Sequence, residues 1–374
     1  MTELPQIDAF HAMTIGHRAF ELQEAGRDIL HMEYGQPSAR PPATVTAAAA
    51  AMLEKGVPGY WLSQRLREGI AATYRPAQIS PDRISLTAGA SPALVLALTT
   101  RFAPGARIAM TRPGYVSHRN VVKGLHMEAI ELPCDASTRF QLTAERLAAL
   151  DPAPDGVIIS SPANPTGSII PAPELEKIVA LCKDRGITIV SDEIYTDLSY
   201  GERAASVTEF TDNAFVIGSF SKFYLMPGWR LGWLAAPSAW AARANAILTN
   251  FFLTPPSVSQ AAGLAALSCT EELATHLDVY RRNRARLLEA LPEMGLTDLA
   301  PPDGAFYVYA RTDGVSRDSR ELCLSLLEDT GVATASGVDF DPVEGHKFMR
   351  LSFAVTEVEV EEAISRLRAW FAAH

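Results

Sequence analysis

GSFSKFYLMPGWRLGW, residues 218–233, is the stretch on which the reading of this chain turns. It follows Ala214-Phe-Val-Ile217, a short apolar run that predicts a buried strand. Two hydroxyls, Ser219 and Ser221, and a lysine, Lys222, come next, and Arg230 lies eight residues beyond the lysine. A lysine directly after a buried strand, among Phe220, Phe223, Tyr224 and Trp229, is chemically unusual. Burial disfavours the ammonium form, and so does a fixed cation such as Arg230. Both push the amine toward its neutral, nucleophilic state. A lysine on a loop is most often a surface residue, but the aromatic and glycine-rich surroundings argue against that here.

Working outward, the chain has 374 residues, 48% of them hydrophobic, enough for a large core and for two domains. A formal net charge of −10 argues against a nucleic-acid partner, which needs a basic face, and offers no polybasic handle for a membrane. The start, MTELPQIDAF, lacks a basic region followed by an apolar one, so no signal peptide is expected. No run of about 20 apolar residues is present. Cys134, Cys182, Cys269 and Cys323 are far apart and read as reduced thiols of a cytoplasmic protein. The eight histidines form no ligand cluster, so no metal is expected. G-x-G-x-x-G and P-loop patterns are missing.

Between Arg83 and Ala235 short apolar strands alternate with helices. Strands are predicted at 83–87, 107–110, 127–132, 157–160, 187–191, 214–218 and 231–235. Their continuous rather than alternating apolar character predicts an α/β fold, a parallel sheet covered by helices on both faces. Beyond Pro237 alanine-rich helices lead to a smaller α/β unit with strands at 305–310 and 349–353. Thr356 is a predicted N-cap for the last helix, 357–371. The expected division is an arm at 1–40 that folds back onto the small unit, a large domain at 41–280 and a small domain at 281–374. Within the first two, a helix is predicted at 7–23, a strand at 29–34 and a turn at 58–61.

Four further places can carry chemistry. Asp192, in Ser191-Asp192-Glu193-Ile194-Tyr195, ends a buried parallel strand, where ligands bind in open α/β sheets; it could also simply cap the next turn. Thr87-Ala-Gly-Ala-Ser91 joins a strand to a helix, and helix N-termini attract anions, although many such turns only serve packing. Ser160-Ser-Pro-Ala-Asn-Pro-Thr-Gly167 is turn chemistry after a strand. Arg350 sits mid-strand in Phe348-Met-Arg-Leu-Ser-Phe353, and a buried guanidinium needs an anion, either an internal acid or a bound carboxylate.

The pattern S-x-S-K-x-x-x-x-P-G-x-R-x-G, matched at Ser219, Ser221, Lys222, Pro227, Gly228, Arg230 and Gly232, resembles the fold-type I pyridoxal-phosphate (PLP) enzymes of the class I/II aminotransferase group. The D-E-x-Y at Asp192–Tyr195 and the S-P-x-N-P-T-G at Ser161–Gly167 extend the resemblance, which covers roughly residue 30 onward. It implies a large PLP-binding domain with a mainly parallel sheet between helices, and a smaller α/β domain. Lys222 would hold PLP as an aldimine and then act as general base. Asp192 would pair with the pyridine nitrogen, Asn164 and Tyr195 would donate to the ring oxygen, and Tyr115 would stack on the ring. Gly89, Ala90, Ser91, Ser219 and Arg230 would hold the phosphate. Arg350, Asn164 and the Gly35 backbone would bind the substrate carboxylate. Tyr60 would reach the phosphate of the neighbouring subunit of a homodimer, although the run between Tyr60 and Leu66-Arg67 departs from the family's pattern.

The activity implied is transfer of an amino group from an L-amino acid to a 2-oxo acid. A C–S β-lyase shares nearly all these residues, and a PLP-binding regulator is the rival from another class. Ser91 stands where some aspartate-specific relatives place a lysine, and Arg40, Arg65 and Arg119 lie in no recognisable motif, so neutral or broad substrates are expected.

Overall fold

The short apolar runs between Ile84 and Ala235 pair into one sheet in the computed structural model, which describes residues 4–56 and 59–374. Residues 1–3 of the arm and the Pro58 end of the predicted turn lie outside the described residues. The strands are β1 (Leu30–His31), β2 (Ile84–Thr87), β3 (Arg107–Arg112), β4 (Glu128–Pro133), β5 (Gly156–Ser160), β6 (Thr188–Asp192), β7 (Ala214–Ser219), β8 (Gly232–Ala235), β9 (Tyr307–Arg311), β10 (Val332–Ala333), β11 (Ala335–Ser336) and β12 (Phe348–Ser352). Seven of them form the large sheet in the order β2-β8-β7-β6-β5-β3-β4.

The centre of that sheet is parallel, through the pairs β4–β3, β3–β5, β5–β6 and β6–β7. Its middle strands are buried on both faces, as the runs Val157-Ile158-Ile159 and Phe215-Val216-Ile217 require. The strand predicted at 231–235 does not continue the parallel pattern. β8 runs antiparallel to both β7 and β2. The connection from Ser219 to Gly232 carries no helix to cross the face of the sheet, only a three-residue 3-10 turn, Pro227–Trp229. A parallel crossover usually carries an α-helix. The chain therefore reverses, and the segment bearing Lys222 and Arg230 is tied at both ends to neighbouring strands.

A second core lies around β9, β11 and β12, an antiparallel sheet in the order β11-β12-β9. The helix Thr270–Glu293 serves both cores, with Leu273 in the first and Tyr280, Leu287 and Leu291 in the second. The N-terminal segment packs with this second unit. β1 pairs parallel with β10, and helix His11–Glu24 sets Ala19 and Leu22 against Leu327 and Ala333. The strand predicted over 29–34 is thus paired only at Leu30–His31, because its partner β10 is itself two residues long. Thr356 caps the helix Glu357–Ala373 in a reciprocal capping box with Glu359. Among the described residues no helix is long and apolar enough to cross a membrane.

Ser160, Asp192 and Ser219 end three adjacent strands at the same edge, the carboxyl edge that faces β9 and β12. Gly232 makes this edge tight. A Cβ there would stand 2.7 Å from the carbonyl carbon of Gly89 and 2.9 Å from the oxygen of Gly218, both backbone atoms that cannot swing away. Gly232→Ala is expected to lower unfolding free energy by about 2 kcal/mol, the usual scale of overpacking, measured as a lower midpoint in urea with an unchanged slope.

Candidate active site

A cavity of about 770 Å³ opens at this carboxyl edge, between the large sheet and the second unit. Lys222 reaches into it from the β7–β8 connection. Its ammonium donates to the carbonyl of Gly35 and lies 5.7 Å from the ring centre of Tyr195 and 5.9 Å from that of Phe306. Burial lowers its pKa from the ordinary 10.5 to about 8, the Arg350 guanidinium pushes the same way, and Asp192 opposes.

Asp192 is 5% exposed. His118 Nε2 lies 2.8 Å from its Oδ2, and the Ile194 amide donates to its Oδ1 at 3.3 Å. His118 escaped the sequence reading. It belongs to helix Val116–Gly124, whose N-cap is Tyr115, and its ring meets the edge of Tyr115 with centroids 5.5 Å apart. The signal was present as a spacing of three, which puts Tyr115 and His118 on one side of a turn.

At one end the cavity can hold an anion. Helix Ala90–Arg101 begins after Gly89 with no side-chain cap, so its first N–H groups point outward unpaired. Gly89 has φ +100°, and a Cβ on it would lie 2.6 Å from Arg230 Nη2. Only glycine lets the guanidinium come that near the helix start. The Ser219 hydroxyl accepts from the Ser221 amide at 3.1 Å, and the two hydroxyls lie 3.0 Å apart.

The other end is built on Arg350, which is 2% exposed in β12. Its Nη1 donates to Asn164 Oδ1 at 2.8 Å and its Nη2 to the Glu33 carbonyl. Its guanidinium is flanked by the rings of Tyr307, 4.4 Å away, and Phe340, 4.7 Å away. Its Nε has no partner. The partners of Arg350 are neutral oxygens rather than the internal acid weighed from sequence. Tyr307 also escaped the sequence reading; its hydroxyl is 2.6 Å from that of Tyr195, and a Cβ on Gly35 would strike it at 1.9 Å.

Of the residues singled out from sequence, Gly35, Ala90, Ser91, Tyr115, Asn164, Asp192, Tyr195, Ser219, Lys222, Arg230 and Arg350 line this one cavity, and Gly89 abuts Arg230. Tyr60 does not line it: its side chain is 84% exposed. Lys222, Asp192 and Arg350 all meet polar partners inside the chain. Each has one, in Gly35, His118 and Asn164, because buried polar groups are rarely left unbonded in a folded chain.

Comparison with known proteins gives a consistent picture. Residues 28–367 match the model of the family described as aminotransferase class I and II. The valine–pyruvate aminotransferase of Mycobacterium tuberculosis is 41% identical, the match covering 97% of this chain and 96% of that one. The aspartate aminotransferase of Sulfurisphaera tokodaii is 28% identical, over 92% and 90%. The crystal structure of an aminotransferase from Mycobacterium tuberculosis superposes with a TM-score of 0.95 at 41% identity, covering 98% of both chains.

The cavity's electrostatics can be read directly on Lys222. In cofactor-free protein, labelling of this amine by an acylating reagent is expected to rise with pH through a midpoint of about 8 rather than 10.5. Arg350→Met removes a repelling cation and moves the midpoint up. Asp192→Asn removes a stabilising anion and moves it down. Mass spectrometry of the labelled peptide across pH checks all three.

Proposed function

The chain belongs to the class I and II aminotransferases, enzymes that move an amino group between an amino acid and a 2-oxo acid with PLP, and on that premise we propose which residues act and which amino acids enter. The residues present fit the cofactor. The anion end, with Arg230 against Gly89 and open helix N–H groups, suits its phosphate. The buried Asp192 suits a protonated ring nitrogen. When bound, PLP supplies the electron sink that makes the substrate Cα–H acidic and carries the amino group between the two half-reactions.

The chain's own residues do the rest. Asp192, with His118 beside one oxygen, keeps its carboxylate aimed into the cavity. Tyr115 offers a ring face at the cavity wall, and Asn164 and Tyr195 offer polar atoms on the other side of Lys222 from the anion end. Arg350 grips the substrate's α-carboxylate with a guanidinium already fixed by two rings, and the Gly35 backbone lies beside it. The Lys222 amine, kept near neutrality by burial and Arg350, takes the proton from the substrate Cα.

The observation that carries the substrate reading is a count of cations. Among the described residues, Lys222, Arg230 and Arg350 are the lysines and arginines that line the cavity. One serves each of the amine, the anion end and the α-carboxylate. None remains for a side-chain carboxylate, and Arg119 is taken by Asp8 and Glu131. The donor is therefore a neutral amino acid, in keeping with the valine–pyruvate relative. The named relatives are transaminases, which favours transfer over the β-elimination and regulator readings. Four free thiols suit a reducing compartment such as the cytoplasm.

In a panel of donors with pyruvate, valine and other neutral amino acids should be at least tenfold better than aspartate by kcat/KM. Borohydride treatment of the holoenzyme should fix the cofactor's mass on Lys222. An adduct on another lysine, or aspartate as the best donor, refutes the corresponding part of the reading.

We extend the proposal to a homodimer in which Tyr60, exposed and not among the residues that line the cavity of its own chain, serves the partner's cofactor. Mixing inactive Lys222→Ala chains with inactive Tyr60→Phe chains should then restore part of the activity, because one site of each mixed dimer is intact. Dilution should release cofactor and activity together. A monomer that stays fully active at low concentration refutes the shared site.

A further inference from the structure

The helix His11–Glu24 has no capping side chain of its own; its N-cap is Phe10. The cap comes instead from the far end of the chain. Asp339 Oδ1 accepts the His11 amide at 2.6 Å and its Oδ2 accepts the Ala12 amide at 2.7 Å. A buried carboxylate thus bonds two otherwise orphaned N–H groups at the positive end of the helix dipole. The next residue in sequence, Phe340, is one of the two rings that flank Arg350. A second acid holds the chain just before the helix: Asp8 accepts from Arg119 Nε at 2.7 Å and Lys123 Nζ at 3.1 Å.

What this helix presents is an apolar wall. Met13 and Phe20, seven residues apart and therefore on one face, line the same cavity as Lys222 and Arg350. Both are largely uncovered within the chain, at 42% and 47% exposed. The Phe20 ring stacks toward Tyr34 with centroids 6.2 Å apart, and Tyr34 directly precedes Gly35. An uncovered apolar pair in a cavity that otherwise binds carboxylate and amine is the part that matches a neutral side chain.

We propose that Asp339 is a positioning residue for substrate selection: by fixing the first turn of helix His11–Glu24 it sets where Met13 and Phe20 stand, and these two side chains bound the compartment for the substrate's side chain. The inference rests on the reading that the donor is a neutral amino acid. Because Asp339 and Phe340 are adjacent, the grip on the α-carboxylate and the wall for the side chain are tied to one 3-10 turn, Gly337–Asp339, and the residue that ends it, Phe340. Selection by size then follows, since a wall held at a fixed distance from Arg350 admits side chains up to a set length.

The test uses the holoenzyme and four variants, Asp339→Ala, Asp339→Asn, Met13→Ala and Phe20→Ala. Met13 and Phe20 are exposed, so their loss does not threaten folding. Hydrogen exchange of segment 10–24 should speed up at least tenfold in Asp339→Ala and less in Asp339→Asn, which keeps one accepting oxygen. The ratio of kcat/KM for phenylalanine to that for valine should rise at least tenfold in Phe20→Ala and in Asp339→Ala, through KM rather than kcat. Unchanged exchange in Asp339→Ala overturns the latch. Equal loss on both donors in Asp339→Ala, with the ratio unmoved, assigns Asp339 a structural role only and overturns the proposal, as does an unmoved ratio in both Met13→Ala and Phe20→Ala. If the wild-type enzyme prefers aspartate, the neutral-donor reading fails on its own; the exchange measurement still decides the latch. If Asp339→Ala does not fold, Asp339→Asn and the two wall variants decide it.

Discussion

A half-buried lysine amine held among a buried guanidinium, an exposed one and a buried carboxylate is the interaction on which this structure depends. Desolvation alone would leave the ammonium costly, and the two arginines add to that cost. Asp192 recovers part of it. The balance leaves the amine close enough to neutrality to exchange protons near pH 8. Holding three cations and one acid around a single cavity requires a scaffold that cannot relax. The β7–β8 connection is one such constraint, since both its ends are locked into neighbouring strands. The close backbone packing at Gly89, Gly218 and Gly232 is another.

The cation-rich cavity is tolerable because each charge has a neutral or acidic neighbour before any ligand arrives. Arg350 leans on Asn164, the Glu33 carbonyl and two aromatic faces, and Lys222 on the Gly35 carbonyl. These are contacts an incoming carboxylate can replace without leaving a buried charge bare. A full internal salt bridge at Arg350 would be harder to displace, because breaking a buried pair by withdrawing one partner is strongly unfavourable. The unpartnered Nε of Arg350 is a donor still unused.

The parts of the site that could be read from sequence are those carried by local pattern. Lys222 and Arg230 sit in the connection between two strands and Gly89 in the turn from a strand to a helix, the strands' apolar runs are unmistakable, and Asp192 ends one of those runs. The parts that could not be read are pairings across large separations. His118 meets Asp192 over 74 residues, Tyr307 meets Tyr195 over 112, and Asp339 reaches His11 over 328. No periodicity records such contacts, because they join elements that are far apart in sequence and meet only in the folded chain. The direction of β8 was a different kind of miss: the Gly- and Pro-containing connection before it, which forms no helix, carried the information, but the alternation of the preceding strands and helices invited one more parallel strand. The two-residue strands β10 and β11 are too short for any pattern to form.

The cavity also divides the chain's labour by position. The middle of the sequence, from Gly89 to Arg230, builds the anion end and the lysine. The two ends, residues 8–36 and 307–350, build the carboxylate grip and the apolar wall. These two sets meet through many bonds, among them Lys222 to Gly35, Asn164 to Arg350, Tyr195 to Tyr307, Arg119 and Lys123 to Asp8, and the Gly114 amide to the Phe340 carbonyl. Energetic coupling between sites is carried by shared contacts, and the side chains of Met13 and Phe20 take part in none of these bonds. They can thus change without disturbing the charge balance around the amine. The chemistry is therefore held by the rigid sheet edge, while the fit to a particular side chain rests on a peripheral helix that a carboxylate more than three hundred residues away keeps in place.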